Sequence, residues 1–207
     1  MFEKYRKLLE KYTDKGNLIK ELFSELEIKY TDKKRYYHNF NHISDMLDFS
    51  EKFEKSIENY DDLCFAIWYH DVIYEVTSKN SEEKSAEFAG KHLKKINYPN
   101  IENVKYLIKR TANHFLREEN ESQELQLLLD LDLKTLGSQP EIYFANSAAI
   151  RKEYSKIPDI LFNPGRAKFL RNMLETEKIY RNQYFIDNFE QQARENLKNE
   201  LDNLLIY

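Results

Sequence analysis

The sequence predicts an all-α fold, and three observations carry that expectation. Gly and Pro number only 4 each in 207 residues, far below the roughly 12% that they make up together in average usage, so few chain breaks are available. Leu, Ile, Glu and Lys are plentiful while Val is scarce, a balance that favours helix over sheet. Apolar residues recur at spacings of three and four along almost the whole chain. No repeat, low-complexity tract or Pro/Gly/Ser-rich linker interrupts the pattern, so one domain over residues 1–207 is expected.

Taken in order, the periodicity predicts a first helix from Phe2 to Tyr12 and a second from Leu18 to Ile28, with Leu18, Leu22 and Leu26 on one face. A third starts near Asn41 and aligns His42, Met46, Phe49 and Phe53. A fourth runs from Asp61 to Tyr74, its acidic start suited to the helix dipole. Ser81 reads as the N-cap of a fifth, which carries Ala86, Ala89, Leu93 and Ile96 and ends at Tyr98-Pro99-Asn100. The next carries Val104, Leu107, Thr111 and extends toward His114. Another spans Ser122 to Leu136, with Leu125, Leu129, Asp132 and Leu136 on one stripe and Gly137 as its stop. Beyond it the pattern gives a helix over Glu141 to Tyr154, a loop over Ile157 to Gly165, a helix over Arg166 to Asn182 and a last one over Ile186 to Leu205.

Composition excludes several classes of function. A net charge of −4 and a pI near 5.8 argue against non-specific nucleic-acid binding, which needs a broad basic surface. No apolar stretch approaches the ~20 residues that span a bilayer, and the N-terminus has no signal-like apolar region. A lone Cys64 in an apolar run reads as a buried thiol in a reducing compartment, so the expected location is the cytoplasm. Fifteen Tyr and 13 Phe read as an aromatic-rich core.

Chemistry is sought in polar residues that fall on apolar stripes, because a buried imidazole or carboxylate is unfavourable unless paired or metal-bound. His42 lies on the Met46, Phe49, Phe53 stripe. His70 follows Leu63 and Ile67 at helical spacing, with Asp71 beside it. Asp132 lies among Leu125, Leu129 and Leu136. Asp130, two residues earlier, faces roughly the opposite side and reads as a second-layer or solvated residue. Three helices thus each direct a metal-ligand type inward, as bundle cores do around an ion. The His70-Asp71 dipeptide is weak alone; its context sharpens it.

The segments Arg35-Tyr36-Tyr37-His38-Asn39-Phe40-Asn41-His42, Trp68-Tyr69-His70-Asp71-Val72-Ile73-Tyr74 and Asp130-Leu131-Asp132-Leu133 with Leu136-Gly137 resemble the HD superfamily, and within it the small predicted metal-dependent phosphohydrolases. Ile150-Arg151-Lys152-Glu153-Tyr154, Gly165-Arg166, Ile179-Tyr180 and Ala193-Arg194-Glu195-Asn196-Leu197 are similar to that subgroup's C-terminal half. The resemblance covers about Arg35 to Leu204. It implies His42, His70, Asp71 and Asp132 as ligands of a divalent metal, with Fe, Mn, Zn, Ni, Co and Mg all compatible with a mixed N/O set. It implies hydrolysis of a phosphomonoester or phosphodiester, a nucleotide among the candidates, by metal-activated water. Arg35, Arg151 and Arg166 are then candidate phosphate clamps, and Asp71, His38, Glu75, Glu82 and His114 candidate catalytic groups. Ser81 stands where the subgroup has Asn.

Blander readings stand beside these. His38 is as well explained as a helix cap as by a phosphate or second metal. His38 and His42 form His-x-x-x-His, but Asn39 lacks the carboxylate that a zinc-protease motif needs. His92 adjoins its apolar stripe and is expected at the surface. Arg151, Arg166 and Glu75 read equally as surface or ion-pairing residues. The expected partner is a small phosphorylated substrate, with no membrane and no particular oligomeric state indicated. Two competing readings are a metal- and nucleotide-binding sensor without turnover and a purely structural helical protein.

Overall fold

A computed structural model describes residues 1–204. Among them are ten α-helices, two short 3-10 segments and no strand, as the periodicity predicts. Helix α1 (Phe2–Leu9) packs on α2 (Gly16–Tyr30), which buries Ile19, Leu22, Phe23, Leu26 and Tyr30. The centre of the fold is α4 (Tyr60–Tyr69). Every residue from Asp62 to Tyr69 is buried, and a helix that is apolar on all sides has to be surrounded. Around it stand α3 (Phe40–Ser50), α5 (Ser81–Lys95), α6 (Ile101–Arg110) and α7 (Gln123–Asp132). Phe65, Ile67 and Trp68 point into this packing, and full burial of each contributes about 1.5–3 kcal/mol. Trp68 meets the rings of Tyr5, Phe23 and Phe40 at centroid distances of 5.1, 6.5 and 6.3 Å. The buried polar exception, Asp62, is held by the Tyr98 hydroxyl and by Asn103 Nδ2 at 2.6 Å.

Local chemistry sets the helix ends that matter for the site. Asn39 caps α3, its side chain accepting from Asn41 N at 2.8 Å. Ser122 caps α7 by accepting from Leu125 N. Beyond α5, Asn97 takes the left-handed conformation (φ 53°) and Tyr98 N returns to Leu93 O at 3.0 Å, closing a Schellman turn. An outer group of α8 (Pro140–Glu153), α9 (Asp159–Glu175) and α10 (Gln183–Leu204) covers one side, with α10 lying on the 3-10 segment Lys134–Gly137 and on α9. Gly137 permits that approach: a Cβ there would stand 2.6 Å from Phe189 Cβ and its carbonyl oxygen.

Several expected boundaries move. The fourth helix stops at Tyr69 rather than Tyr74, so Asp71 lies in a turn. The carbonyls of Asp71 and Val72, which a longer helix would use, accept instead from the Arg35 guanidinium. Phe53 falls in the 3-10 segment Glu51–Ser56, and α6 ends at Arg110, which leaves His114 in a loop. Ser81 is the first residue of α5 rather than its cap. The loop expected over Ile157 to Gly165 is largely helical, since α9 starts at Asp159 and contains Pro164. Pro164 removes one N–H that would meet Ile160 O, but Ile160 is 81% exposed and water can serve that carbonyl. Leu205, the expected end of the last helix, lies outside the described residues.

Cys64 is buried as expected, and burial pushes its thiol up to about 12. His92, expected at the surface, is only 3% exposed. Its ring joins a buried chain: the Tyr5 and Tyr69 hydroxyls are 2.5 Å apart, Tyr69 OH is 3.2 Å from His92 Nδ1, and His92 Nε2 is 3.2 Å from Glu25. Burial lowers its pKa below the ordinary 6.5, with Glu25 opposing. The unfolded chain therefore protonates first as pH falls, and the stability that neutral His92 contributes above 6.5 is lost below it. Urea unfolding should show His92→Gln losing stability less steeply than wild type below pH ~6.5, by at most about 1.4 kcal/mol per pH unit. Equal slopes for the two proteins contradict this assignment.

Candidate metal centre

Three helices bring their ends to one point. His42 sits in the first turn of α3, His70 directly follows α4, and Asp132 is the last residue of α7. Helices α4 and α7 arrive by their C-termini and α3 by its N-terminus, so two negative dipole ends face the centre against one positive end, a balance that favours a cation there. His42 Nε2, His70 Nε2 and an Asp132 carboxylate oxygen lie within 4.8 Å of one another. Asp132 Oδ1 is 3.2 Å from His42 Nε2 and 3.7 Å from His70 Nε2. Asp71 joins at the edge, its Oδ2 3.2 Å from His70 Nε2. His114, from the loop between α6 and α7, places Nε2 2.9 Å from Asp132 Oδ2.

The donor set fits a metal ion. His70 Nδ1 lies 3.0 Å from Ile67 O, and a carbonyl can only accept, so a proton belongs on Nδ1 and Nε2 is the atom left to meet a cation, a metal ion or a second proton. The Nε2 atoms of His42 and His70 are both buried and have no hydrogen-bond partner. Unpaired buried polar atoms are unfavourable, and here two of them face carboxylate oxygens. Burial alone would lower the His70 pKa, yet Asp71 and Asp132 outweigh it and hold the ring well above its usual value. Burial would raise Asp132, but His114, His42 and His70 keep it well below the carboxylate range. Asp71 is lowered in the same way, chiefly by His70 and His38 against its burial. All three shifts express one demand, positive charge between the side chains. His42, His70 and Asp132 can hold a metal ion, with Asp71 and His114 adjoining.

A second unit abuts the first. His38 Nδ1 is 2.6 Å from Glu153 Oε2, while Glu153 Oε1 accepts from the main-chain N–H groups of Tyr37 and His38 at 2.8 and 2.9 Å. The His38 ring stacks on Tyr74 with centroids 4.2 Å apart and lies 6.0 Å from the His42 ring. Burial lowers His38, but Asp71 and Glu153 outweigh it, so its pKa is raised. Glu153 is a residue that sequence reading missed as a site residue. Its helix buries little besides Tyr143, so no apolar stripe marks the position, and only the flanking Ile150 and Ile157 hint that it faces inward.

The three arginines expected as phosphate clamps have their donors engaged elsewhere. Arg35 stands between the Tyr30 and Tyr74 rings and donates to the carbonyls of His38, Asp71 and Val72, at 3.1, 2.6 and 3.0 Å, so it straps the two ligand-bearing segments together. Arg151 is bound to Asp159 and to the Tyr154 and Ile157 carbonyls. Arg166 forms a fork on Glu200 at 2.8 and 2.9 Å. Glu75 is exposed, near Lys84, and Glu82 sits half-buried in the first turn of α5. Neither is among the groups that converge on His42, His70 and Asp132. Asp130 is fully buried, not solvated, and accepts from the main-chain N–H groups of Arg181 and Asn182; burial pushes it up to about 7 against those bonds.

No protein-family model, curated protein or solved structure matches the chain.

A metal bound only by the folded state should raise the melting temperature. At a hundredfold excess over Kd the gain is about 2.7 kcal/mol, or roughly 5–10 °C for a domain of this size. Thermal melts with Mn²⁺, Zn²⁺ or Ni²⁺, reversed by EDTA, should show the rise in wild type and not in Asp132→Asn; a rise of the same size in both would contradict the ligand set.

Proposed function

We propose that the protein is an HD-type metal-dependent phosphohydrolase that cleaves a small phosphomonoester or phosphodiester. The observation that carries the reading is the convergence of the buried Nε2 atoms of His42 and His70 on the Asp132 carboxylate. His42, His70, Asp71 and Asp132 would hold a divalent ion of Fe, Mn, Zn, Ni, Co or Mg type. When bound, such an ion polarises a phosphoryl oxygen and lowers the pKa of water.

The chain's own residues account for the remaining steps. Asp71, at the edge of the cluster, would help to hold the ion and orient the attacking water, whose proton passes to solvent. His114 holds Asp132 Oδ2 and leaves Oδ1 directed at the two histidines. His38, with Nδ1 fixed on Glu153 and a raised pKa, is suited to deliver a proton from Nε2 to the departing ester oxygen as the P–O bond breaks. Glu153 orients that imidazole and stabilises its charged form.

Space for the rest of the substrate lies alongside. A cavity of about 610 Å³ abuts the His38 unit through Arg35, Tyr74 and Glu153, without His38 or the metal-facing residues in its lining, and it is also lined by Lys29, Lys34, Lys152 and Lys156 and by the acids Asp32 and Glu75. With the Arg35 donors engaged in the fold, these lysines outnumber the lining acids Asp32, Glu75 and Glu153 and would supply the cationic charge that a phosphorylated small molecule needs. The size suits a small metabolite or a nucleotide.

The test is phosphate release from a panel of nucleotides and sugar phosphates by metal-loaded protein. Turnover of at least one class is expected, with kcat lowered about 10²–10⁴-fold by His38→Ala and strongly by Asp71→Ala. Turnover that survives Asp71→Ala unchanged would overturn the mechanism, and tight nucleotide binding without turnover would favour a sensor. Lys152→Glu together with Lys156→Glu should raise KM while leaving kcat nearly unchanged; an unaltered KM excludes the cavity as the binding space.

A further inference from the structure

We propose that Arg181 is a positioning residue of the metal centre, holding the loop of His114 so that its imidazole meets Asp132. The inference rests on the metal-binding reading above and extends it to a residue remote from the ligands.

His114 is unlike the other members of the cluster. His42, His70 and Asp132 are placed by helices, whereas His114 belongs to an irregular connection between α6 and α7. Something else has to fix it, since a loop without regular hydrogen bonding is free to move. The Arg181 side chain is 2% exposed, and its Nη2 donates to His114 O at 2.8 Å and Leu116 O at 3.0 Å. Its Nε donates to Glu121 Oε2 at 2.9 Å, at the far end of the same loop. Glu121 is 5% exposed, and its other oxygen accepts from Arg110 Nη2 at 3.0 Å, on the helix where the loop begins.

The backbone of Arg181 is anchored as firmly as its side chain. Its N–H donates to both oxygens of Asp130 at 2.9 and 3.0 Å, and Asn182 N adds a bond of 2.6 Å. Asp130 stands two residues before Asp132 on α7. The turn before α10, the end of α7 and the His114 loop are thus closed into one polar unit, in which Arg181 touches both the carrier of His114 and the carrier of its partner. Arg117, bound to the carbonyls of Lys178 and Ile179, ties the same loop to the same turn.

A buried guanidinium is a poor device for stability alone, because its desolvation offsets much of what the ion pair contributes. A planar fork with five donors is a good device for setting the relative position of three backbone segments. Arg181 Nη1 is left without a partner in this unit, which places the value of the residue in geometry rather than in a full set of hydrogen bonds.

The test is a double-mutant cycle on metal affinity, read by competition with a chelating dye on wild type, Arg181→Met, His114→Gln and the double variant, each verified as folded by circular dichroism. If Arg181 acts through His114, Arg181→Met weakens Mn²⁺ or Zn²⁺ binding about 10–100-fold, in the range of other outer-layer substitutions. The double variant then binds no worse than His114→Gln alone. Arg181→Lys keeps the charge but loses the fork, and should resemble Arg181→Met rather than wild type. Should Arg181→Met fail to fold, Glu121→Gln removes one anchor of the guanidinium at nearly constant volume and should give a smaller loss that also vanishes without His114. Effects of Arg181 and His114 that multiply, or an Arg181 variant with wild-type affinity, overturn the inference while leaving the metal site intact. A wild-type protein that binds neither ion would overturn the metal reading itself.

Discussion

The constraint around which this molecule is organised is the meeting of two imidazole lone pairs and two carboxylates in a water-poor interior. His70 is committed to presenting Nε2 because Nδ1 is tied to Ile67 O. His42 presents the same atom from a different helix, and Asp132 Oδ1 sits between them. Without positive charge the carboxylate oxygens and the Nε2 lone pairs repel one another. A shared cation converts every one of those liabilities into an attraction, and burial then strengthens the attraction by excluding competing water. The direction of the shifts on His70, Asp71 and Asp132 follows from the same geometry.

The fold supplies this meeting point through helix ends rather than helix faces. Helix α4 is buried on every side, so its position is determined by the whole core and His70 inherits that rigidity. The chain leaves the helix immediately afterward, Arg35 takes the carbonyls of Asp71 and Val72, and the same guanidinium holds His38 O. The Arg35 donors are thereby spent on joining the two ligand-bearing segments. On the outer side, the contact between Gly137 and Phe189 lets α10 close over the segment that follows Asp132. Ligand placement and the packing of the C-terminal helices are one problem for this chain.

Much of this was legible in the sequence where burial and periodicity coincide. His42, His70 and Asp132 stand out because each lies on an apolar stripe, and Asp130 and Asp132 diverge as a two-residue step on a helix requires. The misreadings have specific physical causes. Helix continuation past Tyr69 follows from local pattern, whereas the freed carbonyls of Asp71 and Val72 are met by Arg35, more than thirty residues away. Pro164 and Gly165 read as breakers, yet an exposed first part of a helix tolerates a missing N–H. His92 looks solvated because it adjoins the apolar stripe rather than lying on it, while its burial comes from Tyr69 and Glu25 on other helices. Glu153 carries no stripe at all, and its role arises only when α8 meets the segment before α3. Arg151 and Arg166 enter as clamps only through the resemblance, and the ion-pair reading set beside it matches their bonds to Asp159 and Glu200, partners that no spacing reveals.

The central claim is that the convergence of His42, His70, Asp71 and Asp132 exists to hold a cation. Elemental analysis of protein purified without chelator, repeated after stripping and reloading with each of Fe²⁺, Mn²⁺, Zn²⁺, Ni²⁺, Co²⁺ and Mg²⁺, addresses it most directly. The account requires retention of a divalent ion in stoichiometric amount by wild type, and its loss from a variant carrying His42→Ala and His70→Ala. A wild-type protein that stays metal-free under every loading condition, or a doubly substituted protein that retains the ion in full, would contradict it.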